Sequence, residues 1–117
     1  MKFVCPLIVV RDIAVSRTFY EEVLDQKVGY DFDENVSFEG GFAIHSRSHF
    51  SDLIGVEEGS IVEGSHNAEL YFEEDDLDAF LERLKGMGSV RYVHELIEQP
   101  WGQGALGRRD CTAHINA

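Results

Sequence analysis

Few side chains in this 117-residue chain have types and spacings that could do chemistry. Among its five histidines one spacing stands out, His45 and His49 in HSRSH. On a helix, residues four apart share a face, where two imidazoles could hold one metal ion. The pair falls at the end of an apolar run that reads as a strand, so joint chelation is not expected from it. His66, His94 and His114 have no partner at ligand spacing. Cys5 and Cys111 form no zinc motif and need not pair. The plain reading of Cys5 is a small apolar core residue. Glu69 lies in a half-apolar run, where a buried carboxylate is rare unless it is paired or liganding. Trp101, the single tryptophan, offers an indole that could stack on a planar ligand or simply fill the interior.

Composition narrows the classes. A chain of this length is one compact domain, 1–117. Its apolar content of 44% is ordinary for a globular core. The net charge of −12 argues against nucleic acid or an anionic membrane as a partner, and it would attract a cationic ligand. The apolar run at 3–10 is too short for a signal peptide or a membrane span. Two unpaired cysteines suit a reducing compartment, so the expected location is the cytoplasm.

The elements that would position these residues are readable from periodicity. AELYFEEDDLDAFLERL, residues 68–84, reads as a strand running into a helix. Residues 69–72 are aromatic-rich, as strands are. Asp75 and Asp76 offer caps to a helix start. Leu77, Phe80, Leu81 and Leu84 then mark one helical stripe, and Lys85 and Gly86 end it. The N-terminal part repeats the pattern. Residues 3–10 are an apolar strand, Asp12 is a cap, and Ile13, Tyr20 and Leu24 mark a helix over 12–24. Asp12 corresponds to Asp76, Ile13 to Leu77, Tyr20 to Leu84 and Cys5 to Glu69, all at one constant offset, the mark of a duplicated module.

Between the helices, strands are expected at 27–32, 36–39 and 42–47, the last two joined by a Gly40-Gly41 hairpin. Pro6 has no amide hydrogen, so the first strand should lie at an edge or pair only beyond it. Residues 48–65 show no regular period and read as an irregular link. Further strands are expected at 89–97, 104–109 and 111–116, with a turn at Gln99-Pro100-Trp101-Gly102. The order is α+β, βαβββ followed by βαβββ, with modules at about 1–64 and 65–117. A ferredoxin-like βαββαβ domain is the main competitor; three strands between the helices would separate the two.

Three pieces carry a resemblance to a known group. They are VVRDIAVSRTFYEEVL at 9–24, AELYFEEDDLDAFLERL at 68–84, and EQPWGQ at 98–103 with RRDCTAHI at 108–115. In order and spacing the chain resembles the vicinal oxygen chelate superfamily of glyoxalases, bleomycin-resistance proteins and extradiol dioxygenases. The resemblance implies duplicated βαβββ modules curled into incomplete barrels around a cavity, and a homodimer. It implies one of two activities. The first is metal-free binding of a small molecule, such as a bleomycin-type antibiotic. The alternative is lyase or dioxygenase chemistry at a divalent metal ion.

Matched by position, the family's metal ligands fall on Cys5, Glu69, His45 and Ala117. Glu69 and His45 are ligand types. Cys5 stands where His or Gln is usual, and Ala117 has no ligand atom. The cofactor expectation is therefore none, with a divalent metal held by Glu69 and His45 as the alternative. The resemblance also puts Trp101 beside the cavity, with Phe38, Phe42, Phe50 and Tyr71 as further lining candidates. Near the C-terminus Cys111 and Ala113 depart from the family's usual Pro and Gly, and Ala113 resists the positive φ that glycine adopts freely.

Overall fold

Pro6 sets where the first strand begins. A residue without an amide hydrogen interrupts a ladder. In the computed structural model, which describes residues 1–62, 68–88, 91–92, 97–98, 111–112 and 115–116, β1 accordingly spans Leu7–Val10 rather than starting at Phe3. Its register begins just beyond the proline, and among the described residues it is an edge strand of its sheet. The Pro6 carbonyl still accepts a bond from the Ala43 amide at 3.1 Å. Asp12 then caps helix α1, Ile13–Thr18, its Oδ1 accepting the Val15 N–H at 3.1 Å. The helix does not run on as one α-helix to Leu24. It widens into a π-helical turn, Phe19–Val23. Phe19 and Val23 are buried there, and the Tyr20 ring packs on Phe38 and Phe42 at 5.4 and 5.2 Å between centroids.

Strands β2 (Val28–Asp31), β3 (Asn35–Phe38) and β4 (Phe42–Ser46) follow. They form one four-stranded curled sheet in the order β1-β4-β3-β2. β4 runs parallel to β1 and antiparallel to β3, and β3 is antiparallel to β2. The hairpin between β3 and β4 turns at Gly41, whose φ of 96° favours glycine, and the Gly41 amide donates to Phe38 O at 3.0 Å. Val36, Phe38, Phe42 and Ile44 make the core, with Ile8, Val10, Ile13, Tyr20, Val28 and Leu70 packed around them. Because strand side chains alternate, this is the face of the sheet turned to α1.

Two local expectations differ from the structure. Within the stretch expected as an irregular link, 48–65, the described residues hold two helical elements. Helix α2, Arg47–Ile54, starts directly from β4. The Ser46 hydroxyl caps it, accepting the His49 N–H at 3.3 Å, and Gly55 ends it at φ 73°. A 3₁₀ turn, Glu58–Ser60, follows, tied back by an ion pair from Arg47 to Glu58 at 3.4 Å. Residues 69–72, expected as a strand, join no sheet. Strand propensity forms a strand only where a ladder partner lies alongside. Leu70 instead packs on the core and Phe72 meets Phe42 edge-on at 6.0 Å.

Two units are distinguished, Met1–Glu73 and Glu74–Ala117. In the second, Asp76 caps helix α3, Leu77–Lys85, by accepting the Ala79 N–H at 3.0 Å. Leu84 is buried, Leu77, Phe80 and Leu81 are half-buried, and Gly86 ends the helix, all as the spacing predicts. The strand expected over 89–97 is seen as β5 (Arg91–Tyr92) and β6 (Ile97–Glu98). That expected over 111–116 is seen as β7 (Cys111–Thr112) and β8 (Ile115–Asn116). β5 pairs antiparallel with β8 and β6 with β7. The strand expected at 104–109 lies outside the described residues. The fold class is α+β, with a complete βαβββ module at its N-terminal end. β2, β3 and β4 stand between α1 and α3, which excludes the ferredoxin-like order.

Ile44 is wholly buried at the centre of β4. Ile44→Ala should therefore lower the unfolding free energy by about 2–5 kcal/mol, and Asp12→Ala by about 1 kcal/mol. Urea titration followed by circular dichroism measures both. A larger loss for the cap than for the core residue would contradict this assignment of the core.

Candidate functional site

The face of the sheet turned away from α1 is chemically different. The strand registers place Val9, His45 and Asn35 in one row across it, and Leu7, Ala43, Ser37 and Tyr30 in the next. A bulge at Gly29 sets Tyr30 opposite Ser37, whose Oγ accepts the Tyr30 N–H at 3.2 Å. Tyr30 is 69% exposed and stacks on Phe32 at 6.0 Å. Apolar, hydroxyl, amide, imidazole and phenol groups thus share one surface.

His45 is the central polar group of that surface. Its side chain lies opposite the Ile44 side of β4, and only 8% of the residue is exposed. Its Nε2 is 2.7 Å from Nδ1 of His49, one ring donating and the other accepting. Phe50 meets the His45 ring edge-on at 5.5 Å. Helix α2 sets both partners. Ser46 fixes the His49 backbone, and the first turn brings the exposed His49 ring back over the end of β4. Burial pushes the His45 pKa below the ordinary imidazole value. The neighbouring His49 pushes the same way, and Glu34 opposes them. Below the helix, the Ser51 hydroxyl, also buried, donates to Ser48 O at 2.9 Å.

The residues singled out from sequence are only partly brought together. His45 and Phe50 meet. Phe38 and Phe42 stack on each other at 4.9 Å inside the α1-side core. Tyr71 is 63% exposed, Glu69 is exposed and Cys5 is half-buried. Trp101 and Ala117 lie outside the described residues. The sequence reading noted the spacing of His45 and His49 but put HSRSH at a strand end, and so did not expect the two rings to meet. The signal was the serine at position 46 and the glycine at position 55, a helix cap at each end of the segment. Asn35, Ser37 and Tyr30 were missed as well; strand alternation from His45 across the register would have found them.

The family's metal-using chemistry needs about three or four protein ligands. Among the described residues no group of three or more His, Cys, Asp or Glu side chains is placed to hold an ion. The Nε2 of His45 is engaged with His49, and Glu69 points into exposed surroundings. The described donor set does not fit a tightly held metal, and no chemical step is derived through one.

A separate cleft of about 210 Å³ lies on the α1 side, lined by Ile13, Ala14, Arg17, Asp31, Asp33, Glu34 and Val36. Arg17 crosses it, bonded to Glu21 at 2.7 Å and Asp31 at 2.6 Å. The Asp33 amide and Arg17 hold the Asp31 carboxyl below the usual carboxylate range. Arg17 and Asp31 satisfy one another, and neither His45 nor His49 lines the cleft.

Comparison with known proteins agrees with this architecture. A glyoxalase-like domain model matches residues 3–116. The chain belongs to the glyoxalase-like family. It is 39% identical to a protein of unknown function from Agrobacterium tumefaciens, with a TM-score of 0.72 over 87% of this chain and 79% of that one. It shares its fold, at 18% identity, with a glyoxalase/bleomycin resistance protein/dioxygenase from Nocardioides. The TM-score there is 0.59, over 87% of this chain and 72% of the other. An integron cassette protein from the mobile metagenome of V. cholerae is similar at 15% identity and a TM-score of 0.53, over 98% of this chain and 86% of that one. No curated protein matches the sequence. The chain is thus placed within the vicinal oxygen chelate superfamily, and among the described residues no helix is long and apolar enough to cross a membrane.

The His45 pKa shift carries a pH dependence. With the folded value below the unfolded one, the unfolded chain takes up its proton first as pH falls. Stability from this group is complete above the ordinary value of about 6.5 and is lost as pH drops through the folded value. The urea midpoint should fall between about pH 7 and pH 5, and fall less in His45→Gln. An equal fall in the variant would assign the slope to other groups.

Proposed function

We propose that this protein binds a small, planar, basic organic molecule on the sheet face around His45, without catalytic metal, in the manner of a sequestering resistance protein. The observation that carries the reading is the composition of that face. It offers stacking surface in Tyr30, hydrogen-bonding groups in Asn35, Ser37 and the His45–His49 pair, and apolar surface in Leu7 and Val9. Small-molecule sites are built in this way, mostly apolar with a few placed polar groups. The charge of −12 favours a cation. Family membership supports a small-molecule role, and the Nocardioides relative carries bleomycin resistance in its name. By family resemblance alone, Trp101 is a further candidate for contact with the ligand. The working form is a cytoplasmic homodimer, since an open sheet with free edges at β1 and β2 gains from cover.

Titration of the indole fluorescence with a bleomycin-type compound should show saturable quenching, and light scattering should give twice the 13.2 kDa chain mass. Elemental analysis after dialysis against Zn²⁺, Ni²⁺, Mn²⁺ or Fe²⁺ should find far less than one ion per chain. Near one ion per chain, lost on Glu69→Ala, would replace this reading with a metal-dependent glyoxalase-like or dioxygenase-like enzyme.

A further inference from the structure

The His45–His49 pair has a chemical polarity that follows from where its two rings sit. His45 is buried at the end of β4. A neutral imidazole has one N–H and one lone pair. Its Nε2 lies 2.7 Å from His49 Nδ1, so that contact uses one donor and one acceptor. The His49 ring is exposed, and its Nε2 has no partner among the described residues. Its backbone is not free to move away, because the Ser46 cap holds its amide. The result is an imidazole fixed at both backbone and ring, with one nitrogen left over.

We propose that His49 presents this Nε2 lone pair as the acceptor for an N–H or O–H donor of the bound ligand, and that His45 is the positioning residue that sets its tautomer. The inference rests on the binding reading above and adds the ligand's polar chemistry. The 2.7 Å contact admits two tautomer pairs; the one assigned has His45 accepting at Nε2 and His49 donating from Nδ1, which leaves no proton on His49 Nε2. The surroundings select a donor rather than an anion. Glu34 precedes Asn35, the β3 partner of His45, its carbonyl accepts the Ser46 amide at 2.8 Å, and the whole chain carries −12. An anionic ligand oxygen would meet that field unfavourably, whereas an amidinium, an aromatic amine or a phenol would not. Tyr30 on the same face supplies a ring surface for a planar ligand. The ligand class is therefore a planar molecule with a donor edge.

The experiment titrates the full ¹⁵N-labelled chain with benzamidine, using benzoate as the opposite-charge control. Imidazole nitrogens are followed in long-range ¹H–¹⁵N spectra, and the backbone amides of Asn35, Ser37 and Ala43 in ordinary ones. Benzamidine should shift His49 Nε2 and those amides together and saturably. His49→Phe should weaken binding about tenfold, the worth of one hydrogen bond at a desolvated site. His49→Gln, whose amide oxygen accepts, should keep more affinity than His49→Phe. His45→Gln should retain the wild-type circular dichroism but change the His49 tautomer signature and lose affinity. Saturable shifts of the amides with an unmoved His49 and full affinity in His49→Phe would overturn the inference and leave the binding face standing. Stronger binding of benzoate, dependent on His49, would overturn the donor assignment. No saturable response in either set of signals would overturn both the inference and the binding reading.

Discussion

Strand β4 is buried along all five residues, Phe42 to Ser46, and the rest of the first unit depends on that burial. It is the one strand with hydrogen-bonded neighbours that come from both sides of α1 in sequence, β1 on one side and β3 on the other. A strand so placed must satisfy every backbone group through its ladders and fill both faces with side chains. Phe42 and Ile44 fill the face toward α1, each contributing roughly 1.5–3 kcal/mol by leaving water. Ala43 and His45 take the other face. Removing water from that second face is what gives His45 its lowered pKa and makes its bond to His49 more than a surface contact.

The junction of β4 with α2 converts this constraint into a site. Ser46 ends the strand and caps the helix with one hydroxyl, so there is no loop between them. Direct succession of strand and helix fixes the distance from a strand side chain to one in the first helical turn. His45 and His49 then meet as a consequence of local geometry, not of a long-range closure. A site placed by consecutive regular elements loses little conformational freedom when a ligand arrives. The proposal of recognition here rests on that argument, and at the α1-side cleft Arg17 already neutralises part of the acidic lining.

Much of the fold was legible because local and tertiary signals agreed. The two aspartate caps, the three strands between the helices, the Gly40-Gly41 turn and the start of β1 just beyond Pro6 all follow from single residues whose chemistry allows few alternatives. What was not legible depended on partners. Residues 69–72 have strand composition but no ladder neighbour among the described residues, and Leu70 and Phe72 pack against the core instead. The π-helical turn at Phe19–Val23 reflects the demand to bury Phe19 and Val23 while Tyr20 reaches the stacked phenylalanines, a demand a periodicity count does not contain. The site was the least legible part. Family position pointed to His45, but its partner emerged only from the strand-to-helix switch, and the resemblance alone made Phe38 and Phe42 lining candidates although they belong to the interior.

The alternation within β4 also separates two kinds of constraint on one short segment. Phe42 and Ile44 answer to the packing of α1, and their replacement changes stability first. His45 answers to the opposite face, and its replacement changes electrostatics and the state of His49 while leaving the helix-side core in place. A family that keeps the first set can vary the second without refolding. Cys5, which the family resemblance puts at a ligand position, is half-buried just before β1 and is not part of the core cluster Val36, Phe38, Phe42 and Ile44. The chain thus keeps the glyoxalase-like fold, and the binding proposed for it rests on which side chains occupy the other face.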